Sequence, residues 1–109
     1  MAVKEIFTVL TTRMNDNPKH LEGMNVRYTF NLSGEEAGVY QLQIKEKQAE
    51  YAAEAVEESD ITFEMKDKDF LKLTEGSLNP TMAYMSGKLK VRGDLSHALK
   101  LQTLLKHYA

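Results

Sequence analysis

Two stretches between Val26 and Ile44 switch between apolar and polar at every second residue, and this pattern constrains the fold more than any other in the sequence. Val26, Tyr28, Phe30 and Leu32 alternate with Arg27, Thr29 and Asn31; then Tyr40, Leu42 and Ile44 alternate with Gln41, Gln43 and Lys45. Successive side chains of a strand point to opposite faces, so each run reads as a strand with one buried face. The segment between them, Ser33-Gly34-Glu35-Glu36-Ala37-Gly38, is polar and carries two glycines. That makes the two strands an antiparallel hairpin. Its apolar face needs a cover, which the rest of the chain has to supply.

Several segments can do so. Val3, Ile6, Phe7, Leu10 and Met14 recur at helical spacing, and Asn15 with Asn17-Pro18 ends that helix, because a residue before proline avoids the helical region. Asp60 to Met65 alternates again, with Ile61, Phe63 and Met65 inward. Asp67 is placed to cap a short helix carrying Phe70, Leu71 and Leu73, and Gly76 to terminate it. Asn79-Pro80 suits the start of another short helix, Thr81 to Met85, which stops at Gly87. Lys88 to Arg92 reads as a last strand. After Gly93-Asp94, a final helix presents Leu95, Ala98, Leu99, Leu101, Gln102, Leu105 and Tyr108 on a wide face. Residues 46–56 favour helix by propensity, yet Ala49, Tyr51, Ala53 and Ala55 also sit at strand spacing, and the residues alone leave both readings open. Strands grouped early and helices grouped late indicate the α+β class. The 109 residues form a single domain, 1–109, large enough to bury roughly 65% of the surface its unfolded chain exposes.

Composition excludes several functions. With no cysteine there are no disulfides, thiolate nucleophiles or cysteine metal sites. Fourteen basic against sixteen acidic residues, a net charge of -2, give no nucleic-acid footprint and no general attraction to anionic membranes. No apolar run approaches the roughly 18 residues of a membrane span. Met1 to Glu5 is not a signal peptide, and His107-Tyr108-Ala109 is not a Ser-Lys-Leu type address, so a cytoplasmic location is expected. His20, His97 and His107 lack a metal-binding spacing and read as ordinary surface or interface histidines. Asp67 and Asp69 complement a helix dipole rather than hold a metal. Glu35-Glu36 and Glu57-Glu58 read as solvated loop charges. Gly87 to Gly93 lacks the order of a phosphate loop, and Ser86-Gly87 is no nucleophile elbow. Lys88, Lys90 and Arg92 form a cationic stripe, read as an aggregation-resistant edge or, alternatively, a docking strip for an acidic headgroup or partner. Nothing assembles an acid, a base and a nucleophile, so neither an enzyme nor a cofactor site is expected. Six methionines and no tryptophan point either to ordinary gap-filling or to a lining that adapts to variable apolar shapes.

The second half carries a family resemblance. Asp60-Ile61-Thr62-Phe63-Glu64-Met65, Asp69-Phe70, Leu73, Gly76, Asn79-Pro80, Met82-Ala83-Tyr84 and Gly87-Lys88-Leu89-Lys90-Val91-Arg92-Gly93-Asp94 resemble, in this order, the sterol carrier protein 2 family. The N-terminal helix and the hairpin look like that family too, so the likeness covers nearly the whole chain. It implies a five-stranded, mostly antiparallel sheet with helices packed on one face, enclosing an apolar tunnel. It also implies that residues 47–56 form the third strand, sheet context overriding local propensity. Some members continue past the final helix with a tail that helps close the tunnel, whereas this sequence ends with that helix.

The function implied is non-catalytic intracellular lipid binding or transfer, the ligand being a fatty acid, a fatty acyl-CoA or a sterol-like molecule. Membrane contact is expected to be transient at most. The ligand-binding residues expected are Phe7, Leu10, Phe63, Met65, Phe70, Leu73, Met82, Met85 and Leu99, with the short helices acting as lids and Gly76 and Gly87 as hinges. The alternatives are an interaction or homodimerisation module with a filled core, an accessory domain presenting lipid to an enzyme, and an enzyme acting on a lipid thioester.

Overall fold

The structure, a computed structural model, describes residues 2–55 and 57–108. In chain order it contains α1 (Val3–Asp16), a 3-10 turn (Pro18–Leu21), β1 (Val26–Ser33), β2 (Gly38–Lys45), β3 (Gln48–Ala52), β4 (Ile61–Lys66), α2 (Asp67–Glu75), α3 (Pro80–Met85), β5 (Lys90–Gly93) and α4 (Leu95–Tyr108). The strands form one sheet in the order β3-β2-β1-β4-β5. Three pairings are antiparallel, and β1 with β4 is parallel. This is the expected α+β architecture with a mostly antiparallel sheet.

The register lines up the inward residues in rows. Tyr51, Leu42, Tyr28 and Ile61 are neighbours across four strands, as are Tyr40, Phe30, Phe63 and Val91 in the next row. Phe7 of α1 packs on this face, its ring 5.5 Å from Phe30, 5.4 Å from Tyr40 and 5.6 Å from Tyr51. Phe70 of α2 lies 5.1 Å from Phe7 and 5.3 Å from Phe30. The final helix turns Ala98, Leu101, Leu104 and Tyr108 inward. Leu95 and Leu99, expected on that face, are exposed instead. Two leucine stripes overlap on this helix, and periodicity alone does not say which one meets the sheet.

The stretch 46–56 follows the strand reading over β3; Val56 lies outside the described residues. Glu46 and Lys47 both take positive φ, 53° and 61°, between β2 and β3. A two-residue hairpin turn requires that geometry and is normally marked by asparagine or glycine. Here no such marker is present, which is why local propensity favours helix. Asn15 of α1 clamps the edge strand: its amide donates to the Ala49 carbonyl at 2.9 Å and accepts from the Ala49 N–H at 2.8 Å.

From β3 the chain crosses the other sheet face to β4. Gln41, buried there, donates to the Thr29 hydroxyl at 3.0 Å and to the Glu57 carbonyl at 2.7 Å. Arg27 pairs with the Glu57 carboxylate at 2.8 Å. Glu57 is therefore not merely solvated, because the crossing segment must be pinned over β1 and β2. Glu36 also differs from the expectation. Its carboxylate accepts from Val3 N–H at 3.0 Å, satisfying a free donor at the start of α1, and its own N–H donates to Asp67 at 2.9 Å. Asp67 is thus the first residue of α2 rather than its cap, and ties the hairpin loop to that helix. The Glu36 N–H holds the Asp67 carboxyl below its ordinary pKa against the opposing effect of burial.

Asn79 accepts from Met82 N–H at 2.7 Å and Pro80 opens α3, as expected. Gly93 closes β5 at φ 125°; a Cβ there would stand 2.7 Å from the Asp60 carbonyl oxygen and 3.0 Å from Ile61 Cα. At the other end of α4, the Tyr108 hydroxyl donates to the Asn17 carbonyl at 2.6 Å, and Arg13 donates to the Tyr108 carbonyl at 3.0 Å. His20 stacks on His107 with ring centroids 3.6 Å apart. Burial, the His107 ring and Lys19 hold the His20 imidazole below its ordinary pKa.

Two predictions follow from these contacts. Gly93→Ala is expected to cost about 1–3 kcal/mol through backbone strain, readable in urea unfolding. For His20, lowering in the folded state means that the unfolded chain binds the proton more readily, so this contribution to stability is complete above about pH 6.5 and is lost as pH falls from there. The urea midpoint is expected to drop from pH 7.5 to 5.5, and to drop less in His20→Gln. The Asp67 and Asp94 carboxyls, held below their ordinary range by backbone N–H groups, stay ionised across that window.

Candidate functional site

Three helices meet the sheet at one apolar seam. Phe7, Leu10 and Met14 come from α1, Phe30 and Leu42 from the sheet, Phe70, Leu73 and Thr74 from α2, and Leu101 and Leu105 from α4. Each position follows from its element. The α1 residues share one helical face, Phe30 and Leu42 sit at inward positions of their strands, and Phe70 and Leu73 are one turn apart. The space left among them is about 10 Å³. That is close to the volume of one water probe and far below the roughly 300–1,000 Å³ of an organic ligand site. The tunnel implied by the resemblance is not open at this seam: the side chains fill it.

What holds the seam shut is non-directional. No hydrogen bond or ion pair between described residues joins α2 to α4. The polar anchors of α4 lie around it: Asp94 accepts from Ser96 N–H at 2.9 Å, Thr81 donates to Gln102 at 3.4 Å, and the Tyr108 contacts fasten the far end. Thr74 turns its hydroxyl back to the Leu71 carbonyl at 3.0 Å. At the seam α2 and α4 can therefore part without breaking a polar bond between them, while Arg13 keeps the end of α4 joined to α1.

The sequence matches the SCP-2 sterol transfer family over residues 7–106. The chain belongs to that family. Hydroxysteroid dehydrogenase-like protein 2 of Rattus norvegicus is 36% identical over 107 residues, 97% of this chain and 20% of that protein. The chain thus spans about a fifth of that relative's length. Sterol carrier protein 2 from Yarrowia lipolytica, in its apo form, superposes with a TM-score of 0.79 at 25% identity, covering 94% of this chain and 88% of that one. The sterol carrier protein domain 2 of Helicoverpa armigera gives 0.78 at 28% identity, covering 97% and 86%.

Within this SCP-2 domain the expected ligand-binding residues divide. Phe7, Leu10, Phe70 and Leu73 come together at the seam. Phe63 is buried in the sheet beside it, 5.3 Å from Phe30, and Met65 is buried near the end of β4. Met82, Met85 and Leu99 are exposed and do not reach the seam. Phe30, Leu42, Met14, Thr74, Leu101 and Leu105 do reach it without having been singled out. Phe30 and Leu42 carry the same inward alternation as Phe63, so that signal was present. Among the described residues no three histidine or acidic side chains cluster to hold a metal.

Tyr28 is fully buried, 6.1 Å from the Phe63 ring, and among the described residues its hydroxyl, like His97 Nδ1, has no hydrogen-bond partner. Burial first, and the Asp60 charge second, raise its pKa. An unpaired buried hydroxyl costs about 1–3 kcal/mol. Tyr28→Phe is therefore expected to leave thermal stability unchanged or to raise it, as measured by calorimetry; a clear loss would mean that the hydroxyl is paired in solution.

Proposed function

We propose that this domain binds one apolar lipid, an acyl chain or a sterol-like molecule, between its helices and the sheet, and carries it without chemical change. Membership of the SCP-2 family supports this reading. The observation that carries it is the seam itself, where α2 and α4 close over the sheet through apolar contact, while the polar bonds of α1 to Ala49 and Tyr108 lie outside it. A lipid entering there replaces side-chain contacts with contacts of the same kind. Burying methylenes yields about 0.8 kcal/mol each, so a sixteen-carbon chain gains roughly 13 kcal/mol gross. Parting the seam and ordering the chain offset much of that, leaving an affinity around micromolar or tighter.

A second reading has its own support. The relative from Rattus norvegicus is a dehydrogenase-like protein of which this chain covers 20%. In that setting the domain is an accessory unit that presents a lipid to an attached enzyme. Both readings assign the same task to the seam.

The test starts from protein stripped by organic extraction. Native mass spectrometry with palmitate, palmitoyl-CoA or cholesterol is expected to show a one-to-one complex with at least one of them. Leu105, half-buried at the edge of the seam, accepts a charge more readily than a core position. Leu105→Glu is expected to weaken binding at least about tenfold while the protein stays folded. Stripped protein that takes up none of the three probes overturns the proposal.

A further inference from the structure

Tyr40, Tyr51 and Tyr108, like Tyr28, lie wholly or partly inside the molecule, and each of the three spends its hydroxyl on a partner. Tyr40 donates to the Glu36 carbonyl at 3.4 Å, Tyr51 shares a hydrogen bond with the Thr8 hydroxyl at 3.0 Å, and Tyr108 donates to the Asn17 carbonyl at 2.6 Å. Tyr28, with 0% of its surface exposed, is the exception: among the described residues its hydroxyl has no partner. A buried hydroxyl left unpaired is disfavoured, and phenylalanine fills nearly the same space without it. A destabilising group of this kind is the sort that a binding site retains at the expense of stability.

The place of Tyr28 in the sheet says what its hydroxyl faces. Two residues of the seam are its neighbours: Phe30 is the next inward residue on β1, and Leu42 is its partner on β2. The ring centroids of Tyr28 and Phe30 are 6.4 Å apart. Strand side chains stand roughly perpendicular to the sheet. The phenol ring therefore carries its oxygen up from the sheet into the layer where the helices pack, beside the seam. On the other side, Asp60 precedes Ile61, the partner of Tyr28 on β4, and the Asp60 carboxylate is fixed by the Arg27 N–H at 2.9 Å. Burial first, and then that charge, keep the phenol protonated. The hydroxyl is a neutral donor in an apolar layer under the influence of a carboxylate, a setting that disfavours an anionic head group.

We propose that the Tyr28 hydroxyl anchors the bound lipid by donating a hydrogen bond to a neutral oxygen, of a ketone, ester or alcohol, at the end of the ligand that enters the seam first. The inference rests on the seam admitting a lipid, and adds which end goes in and what that end carries. Apolar contact accepts any hydrocarbon of suitable shape, whereas a buried donor distinguishes a ligand that pairs it from one that leaves it unpaired. A fatty acid lies the other way round, with its carboxylate at the mouth.

The experiment compares 2-hexadecanone with hexadecane, each competing for protein loaded with a fluorescent fatty acid, in the full chain and in Tyr28→Phe. The ratio of the two affinities, ketone over hydrocarbon, is expected to fall about fivefold in the variant. The carbonyl stretch of the bound ketone is expected at lower frequency in the unmodified protein than in Tyr28→Phe. Melting curves check that the variant folds. A ratio that the substitution leaves unchanged overturns the inference, because the hydroxyl then serves packing or a buried water. So does a stretch in the unmodified protein at its frequency in liquid hexadecane, a reading that needs no variant. Palmitate uptake separates the two levels. Where palmitate binds, either failure falls on the role of Tyr28 alone; where no probe binds, the lipid-binding reading fails and this inference with it.

Discussion

The contact of Phe7 with Phe30 is the point on which the rest of the structure is assembled. Phe30 lies on the central strand of the sheet, so a helix fixed to it is fixed to strands on both sides. Phe70 packs on the same two rings and brings α2 into the same layer. Aromatic rings supply much buried area in few residues, which suits a chain of 109 residues with neither disulfide nor metal ligands of cysteine type. Once these rings are in place, β1, β4, α1 and α2 are ordered relative to each other, and α4 closes over them.

Polar contacts do a different job, and they sit elsewhere. Asn15 holds the edge strand, Gln41 and Arg27 hold the crossing segment, Glu36 and Asp67 join the hairpin loop to two helix starts, and Tyr108 fastens the end of α4. Directional bonds therefore fix the periphery, while the middle is held only by apolar contact. Gly34 fits this arrangement: at φ 112°, a Cβ there would collide with the Asp67 carboxylate. Orientation comes from the rim, and the interior keeps freedom to repack.

Much of this was legible in the sequence wherever a local rule acts alone. The alternation in β1, β2 and β4, the cap at Asn79, the proline at the start of α3 and the stop at Gly76 each follow from one residue or one period. The rest depended on longer range. The turn at Glu46-Lys47 carries no conventional residue signal, because the sheet imposes the positive φ values. The roles of Glu36 and Glu57 arise from segments 31 to 33 residues away or from the opposite sheet face, so they read locally as loop charges. The inward face of α4 was ambiguous because both of its stripes carry leucine.

The methionines show the same division, two in the core and two exposed on α3. Met14 and Met65 are buried, where an unbranched side chain fills irregular space between helix and sheet. Met82 and Met85 stand in solvent on a helix whose inward positions are Pro80 and Ala83. Two small inward residues let α3 sit close to its support, which leaves its large residues no interior to enter. Packing thus places Met82 and Met85 on the solvent side of this six-residue helix.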